Sequence, residues 1–312
     1  MPEEQRKNKK ITFCGLDNSG KSSFIARLKH QEYPLRPTTG VEQTPYEIFG
    51  FPILLWDFGG QKKLRDSYEN KEHFFDNTDL LFYIIDVQDA ARYGESILYF
   101  EDTLKKFKKQ KPFVFVCFHK ADPDLEKSKR VLDNIQLLKN RLNIPLEDFQ
   151  AFFFSTTIFD YYSVLTPFSF AIQKLLPFAS MLEKFIANFF QAHHLSSIVL
   201  MDKNGAIISK IARKTDEGER DLAYCQLTGV YLSQLFESYE KHLMTTPGIS
   251  LRLTKEIEEE GSVGLILFEK IEVHEMRYYL ILLSRKVDQV VSIKDDLPEF
   301  ISGLAKSIEI SF

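Results

Sequence analysis

Eight consecutive residues constrain this chain more than any others. Gly15-Leu16-Asp17-Asn18-Ser19-Gly20-Lys21-Ser22 fits the pattern G-x-x-x-x-G-K-[ST] at every fixed position. Before it, Ile11, Thr12, Phe13 and Cys14 read as a short buried strand; after it, Phe24, Ile25 and Leu28 fall at helical spacing. The loop thus joins a strand to a helix N-terminus, the context the pattern requires. Glycines let the backbone curl until several N–H groups point inward, and the helix dipole adds positive potential. A triphosphate answers that geometry. Asp17, Asn18, Ser19, Gly20 and Ser23 would wrap the phosphates, Lys21 would bridge the β- and γ-phosphates, and the Ser22 hydroxyl would ligate Mg²⁺. An ordinary glycine-containing turn needs neither the lysine nor the hydroxyl.

The chain has 312 residues, long for one compact domain and suited to two. Hydrophobic residues make up 44% and there are 28 phenylalanines, so a large, aromatic-rich core is expected. A formal net charge of −4 argues against a general nucleic-acid binder. Cys14, Cys117 and Cys225 show no metal-ligand spacing and are expected to be buried free thiols in a reducing compartment. No apolar run reaches a membrane span. MPEEQRKNKK is too polar and too short for a signal peptide, Pro2 leaves no glycine to myristoylate, and EISF offers no cysteine to prenylate. The expectation is a soluble protein whose membrane association, if any, comes through a partner.

To about residue 178, apolar strands (10–14, 44–49, 52–57, 80–86, 113–118, 150–155) alternate with amphipathic helices (20–30, 66–75, 92–109, 127–141, 161–177). That alternation predicts an α/β domain with a mostly parallel sheet. Beyond the break at Pro177 the order changes. A helix runs to near His193-His194, and SSIVLMDKNGAIISKIA reads as a hairpin about Lys203-Asn204-Gly205. A helix at 221–243, strands at about 249–256, 262–270 and 275–284, and a helix at 296–308 complete a smaller α+β domain. The domains are placed at 8–178 and 179–312. The runs 105–111 and 255–261 read as solvated faces or turns. The two adjacent histidines lack further ligands in matching spacing and read as a polar helix terminus.

LLWDFGGQKK puts Asp57 at a strand end, where a carboxylate can hold Mg²⁺ through water. Gly60 can offer its N–H to a γ-phosphate, and Gln61 can orient an attacking water. FHKAD places Asp122 to accept two hydrogen bonds from guanine's ring N–H and exocyclic amine, a pair adenine cannot supply. The Lys120 stem can lie along the base, and His119 stands where N-K-x-D motifs have asparagine. Thr156, Thr157 and Ile158 in FFFSTTIFD would approach the guanine carbonyl through backbone N–H. Thr38 in RPTTGVE is the expected switch threonine over Mg²⁺ and γ-phosphate. Trp56 reads as core packing near this region.

These five elements resemble a Ras-superfamily small GTPase. GLDNSGKSS, PTTG and WDFGGQ are similar to Arf and Arf-like proteins. HKAD, the STTIFD turn with its following helices, and the second domain with the hairpin IVLMDKNGAIIS are similar to Rag/Gtr proteins and their roadblock/longin module. WDFGGQ leans towards the A/B-type subunit, and an archaeal relative fits as well. The resemblance implies GTP and GDP with Mg²⁺, catalysis carried by Gln61, Lys21 and Gly60, and metal ligation by Ser22, Thr38 and Asp57. It also implies a homodimer, or a heterodimer with a related GTPase, formed through the C-terminal domain by an edge strand or a helix face. Such a domain is expected to back its sheet with helices on one side. A roadblock-type scaffold, GTPase-activating proteins and exchange proteins would be partners, with no nucleic acid and no direct membrane insertion. The location implied is cytoplasmic, or peripheral at a membrane through a scaffold. Arg36 and Arg65 are candidate arginines by position only, so slow intrinsic hydrolysis is expected. The competing readings are a nucleotide-stabilised scaffold with little turnover, an Arf-like trafficking GTPase, and an ATP-using kinase. HKAD and the absence of a second-substrate motif disfavour the kinase.

Overall fold

The computed structural model describes residues 9–29, 36–48, 51–68, 72–107, 110–125, 128–175, 179–240, 249–253, 264–273, 276–286 and 289–309. Residues 1–8, the break at Pro177 and the run 255–261 lie outside them. The chain divides into two compact units, residues 1–171 and 172–312.

In the first unit the strands are β1 (Lys9–Cys14), β2 (Val41–Ile48), β3 (Phe51–Phe58), β4 (Leu80–Asp86), β5 (Phe113–His119) and β6 (Ala151–Thr156). They form one sheet in the order β2-β3-β1-β4-β5-β6. Only β2 runs antiparallel to its neighbour; the other pairings are parallel. The helices are α1 (Lys21–Leu28), α2 (Lys62–Tyr68), α3 (Tyr93–Lys106), α4 (Lys129–Asn143) and α5 (Tyr161–Leu175), the last running across the division between the units. Where a helix was expected over 66–75, α2 ends at Tyr68 and a single 3-10 turn follows at Glu72–Phe74.

Central strands that are buried throughout, such as LLFYIID, need cover on both faces, and the helices supply it. One face carries stacked Phe13, Phe82 and Phe115, with centroids 4.9 and 5.0 Å apart, against Phe24 of α1 and Phe168 of α5. On the other, Tyr83 packs on Phe100 of α3 and donates its hydroxyl to the Ser96 carbonyl at 2.6 Å. The parallel register pairs Phe13 with Asp57, Cys14 with Tyr83, Asp86 with His119 and His119 with Thr156. Every parallel strand therefore ends in step, and the loops that follow them collect along one edge of the sheet. That edge is where open α/β sheets bind ligands.

The second unit holds α6 (Ala179–Ala192), β7 (Ser197–Asp202), β8 (Ile207–Ala212), α7 (Asp216–Glu240), β9 (Ile249–Leu253), β10 (Gly264–Val273), β11 (Met276–Ser284) and α8 (Val290–Glu309). The five strands are antiparallel in the order β8-β7-β11-β10-β9. The expectation of helices on one side is corrected here. Gly229 and Phe236 of α7 sit on Met201, Ile281, Phe268 and Tyr279, whereas Glu269, which points to the opposite face, feels Lys294 of α8. α8 in turn meets α6 through Phe185 and Phe189 stacked on Phe300. Consecutive residues Ile198, Val199, Leu200 and Met201, which point to alternate faces, are all fully buried, so both faces need cover and both have it.

The three cysteines are free and buried. His193 caps the end of α6 against the Phe189 ring and faces Asp296 at 3.4 Å. Among the described residues no cluster of histidine, cysteine and carboxylate suits a metal, and no helix is long and apolar enough to cross a membrane.

Candidate functional site: a phosphate loop and a base loop on one sheet edge

Between β1 and α1 the chain turns through Gly15 (φ +143°), Asn18 (φ +59°) and Gly20 (φ +97°). A Cβ on Gly15 would overlap the Ile84 carbonyl, and one on Gly20 would overlap the His119 ring. Both glycines are thus required twice, by backbone angle and by space. Lys21 is buried at 4% exposure. Its ammonium donates to the carbonyls of Gly15 and Leu16 at 3.0 and 2.8 Å, which holds it under the loop. Burial lowers its pKa, and the Asp57 charge works in the opposite sense.

At one corner of the loop three oxygens converge. Ser22 Oγ donates to Asp57 Oδ2 at 2.5 Å, Thr38 Oγ1 donates to the same oxygen at 3.0 Å, and the two hydroxyls lie 2.8 Å apart. Asp57 is 5% exposed, and its other carboxylate oxygen is buried with no partner among the described residues. Burial raises its pKa against the opposing pull of Lys21. Two hydroxyls and a half-satisfied buried carboxylate form a hard oxygen donor set, so these residues fit a cation such as Mg²⁺.

Gly59 donates its N–H to the Gly40 carbonyl at 2.9 Å, and the Tyr68 hydroxyl donates to that same carbonyl at 2.9 Å. The segment after β3 is thereby drawn to the segment before β2. A Cβ on Gly60 would overlap the backbone of Leu16 and Asp17. Together these segments enclose a cleft of about 320 Å³ lined by Asp17, Asn18, Gly20–Ser23, Arg36–Thr38, Gly60 and Gln61. Gln61 is exposed on the cleft wall. Ser19 differs from its loop neighbours: it is buried, and its hydroxyl has no partner among the described residues.

The second cluster follows β4, β5 and β6. Lys120 takes a left-handed turn (φ +61°) and its ammonium pairs with Asp86 at 2.7 Å. Asp122 accepts from the Thr157 hydroxyl at 2.6 Å through Oδ1 and from the Gln88 amide at 3.0 Å through Oδ2. The same amide donates to the Lys120 carbonyl at 2.8 Å. An ionised carboxylate has about four lone-pair sites, so two further donors can still be accepted. His119 is 1% exposed, with Nδ1 and the Thr156 hydroxyl 2.8 Å apart, and its ring fills the space beneath Gly20. Burial first, and the Lys120 charge second, push its pKa down to about 4, so the ring is neutral. It is a strut between the two loops rather than a surface presented to ligand. Ile158 is half-buried beside them.

Reading the sequence passed over four site residues. Asp86 and Gln88 had a signal: every other parallel strand end carried a site residue, and LLFYIID-VQ was the one left without. Arg92 and Glu95 had a weaker one, since Asp17 in the phosphate loop needs a counter-charge. Arg92 reaches Asp17 at 2.5 Å and Glu95 at 3.1 Å. Of the two candidate arginines, Arg36 lines the cleft and Arg65 does not. Arg65 is buried, donates Nε to the Gly60 carbonyl at 2.8 Å, pairs with Glu95, and lies over the Tyr99 ring at 5.0 Å. Its guanidinium is thus engaged by Gly60, Glu95 and Tyr99. Trp56 is only half-buried; it stacks on Phe58 and holds the Lys10 ammonium 3.8 Å above its ring.

The chain is similar to several known proteins. GTP-binding protein gtr2 of Schizosaccharomyces pombe is 28% identical over 295 residues, covering 89% of each chain. Ras-related GTP-binding protein C of Mus musculus is 30% identical over 70% of this chain and 56% of its own length. ADP-ribosylation factor-like protein 3 of Chlamydomonas reinhardtii is 33% identical over 36% of this chain and 63% of its own length. Among solved structures, the Arl6 BBS3 small GTPase of Trypanosoma brucei aligns with a TM-score of 0.46 at 22% identity, over 54% of this chain and 96% of that one. The family model described as the Gtr1/RagA G protein conserved region matches residues 10–239. With the phosphate loop, the base loop and a second α+β unit all within that span or adjoining it, the chain belongs to the Gtr1/RagA family of GTP-binding G proteins.

Proposed function

We propose that this chain is a guanine-nucleotide switch that binds GTP with Mg²⁺, hydrolyses it slowly, and signals through the shape of the segments around Thr38 and Gly60. The observation that carries this reading is the Ser22–Thr38–Asp57 cluster, which ties both segments to the phosphate loop at a single point. Mg²⁺, when bound there, would neutralise phosphate charge. The protein's own groups do the rest. Lys21 and the loop N–H groups hold the phosphates, and Asp122 selects the base. Gly60 offers its N–H to the terminal phosphate, and Gln61 on the cleft wall orients the attacking water. Arg65 is committed elsewhere, which favours slow turnover in the absence of an activating protein. Gln61→Leu should retain GTP with near wild-type affinity and slow single-turnover hydrolysis by at least tenfold. Equal rates for the two proteins would instead favour a nucleotide-stabilised scaffold.

The second unit is the proposed dimerisation element, pairing with a second copy or with a related GTPase subunit. Tyr224, Leu227, Tyr231 and Leu235 are spaced three, four and four residues apart on α7 and are 43–69% exposed, on a helix whose other side packs on the sheet. That stripe is the kind of surface that a partner helix or sheet covers. Light scattering should give a dimer for the full chain, alone or with its cognate subunit, and Tyr231→Glu should return it to monomer. A wild-type chain that stays monomeric at tens of micromolar with every related subunit would sink the dimer, because a standard interface holds well below that concentration. A cytoplasmic location, with peripheral attachment to a membrane through a scaffold, goes with this reading and would be checked by fractionating cells.

A further inference from the structure

Asp17 on the cleft wall and three charged side chains behind it, Arg92, Glu95 and Arg65, join into one chain that begins and ends at the same place. Asp17 of the phosphate loop accepts from Arg92 at 2.5 Å, and Arg92 also donates to the Asp17 carbonyl at 3.4 Å. Arg92 donates Nε to Glu95 Oε2 at 3.1 Å, and Glu95 Oε1 takes the guanidinium of Arg65. Arg65 Nε donates to the Gly60 carbonyl at 2.8 Å. Gly60 closes the ring, since its Cα lies so near the Leu16–Asp17 backbone that a Cβ would overlap it. The four groups lean on one another. Burial alone would raise the pKa of Asp17 and Glu95, but their arginines outweigh it and hold both below the ordinary carboxylate value.

Fixing the Gly60 carbonyl has a further effect. The peptide unit is planar and trans, so the N–H of Gln61 must point opposite to that carbonyl. Arg65, buried at 9% exposure and absent from the residues that line the cleft, holds this carbonyl. The N–H of the water-orienting residue is thereby turned the other way. Arg92, at the base of α3, transmits the position of the phosphate loop to Arg65 through Glu95.

We propose that Asp17, Arg92, Glu95 and Arg65 form a latch that holds the Gly60–Gln61 peptide against the phosphate loop, with Arg92 as a positioning residue that favours the triphosphate state over the diphosphate state. This rests on the switch reading above, because the latch matters only if the segment at Gly60 answers to the terminal phosphate. A diphosphate has no group at Gly60 and gains nothing from the closed ring. A triphosphate gains the contacts that the ring has pre-arranged.

The test compares full-length wild type, Arg92→Gln and Glu95→Gln for affinity towards GDP and towards a non-hydrolysable GTP analogue, together with single-turnover hydrolysis. Both variants should leave GDP affinity within about twofold, weaken the GTP analogue about tenfold, and slow hydrolysis about tenfold, in the range of ordinary coupling between sites. The double variant should be no worse than either single one, because each breaks the same ring. Arg92→Lys, which keeps the charge but can reach only one partner well, should fall between wild type and Arg92→Gln. Equal weakening of both nucleotides, or additive losses in the double variant, would overturn the latch and leave the switch reading standing. A wild-type chain that binds neither nucleotide would overturn the switch reading itself, and the latch with it.

Discussion

Asp122→Asn should lower GTP affinity by about 1–3 kcal/mol, roughly five- to 150-fold, and should shift preference towards xanthosine triphosphate. On the proposed function, the carboxylate at this position would accept from guanine's ring N–H and exocyclic amine. An asparagine amide offers a donor where guanine also offers one, so the pair is repelled. Xanthine carries a carbonyl in place of the amine and restores the match. The setting sharpens the expectation. Thr157 and Gln88 hold the carboxylate from its two oxygens, so it cannot swing aside to relieve the mismatch. Competitive nucleotide titration measures the outcome. A variant that binds GTP as well as wild type, with no gain for xanthosine triphosphate, would mean that this loop does not read the base.

Gly60→Ala should have the larger effect on turnover. The added Cβ would overlap backbone atoms of Leu16 and Asp17, and backbone in a turn of such constrained angles has no rotamer through which to retreat. The segment carrying Gly60 and Gln61 must then move off the phosphate loop. That withdraws a phosphate donor and the water-orienting residue together. Loss of one such donor costs about 10²–10³ in rate. Single-turnover hydrolysis should fall about 100-fold, while GDP affinity, which does not need this contact, should change by less than about threefold. Hydrolysis within threefold of wild type would show that the reacting state does not use the closed arrangement.

The phosphate loop, the Asp57 corner and the base loop were legible because each needs particular residue types at fixed local spacing. The order of strands and helices in the first unit was legible for the same kind of reason, since strands buried on both faces read as unbroken apolar runs. What could not be read depended on tertiary approach. His119 differs from the expected asparagine by a single residue, but its place beneath Gly20 exists only once β5 lies two strands from β1. Arg65 stood in a suggestive position, and the sequence had no means of showing that Glu95, 30 residues away, would claim it. The second unit was read as helices against one side of a sheet. Strands there do not alternate cleanly, because both faces are covered, and the alternation that would have revealed the arrangement is absent.

The parallel register has one last consequence, in the distances it imposes. Neighbouring strands lie about 4.8 Å apart, and the order β3-β1-β4-β5-β6 sets the Asp57 corner three to four spacings, roughly 14–19 Å, from the loops that surround Asp122. On the proposed function, a nucleotide anchored by its base at one end would lie along this edge and be measured against it. Each phosphate would extend the molecule by part of a strand spacing, and a triphosphate would reach further towards the threonine and glycine beyond β1 than a diphosphate. The sheet edge would in this sense be a ruler, set by backbone spacing rather than by any one side chain.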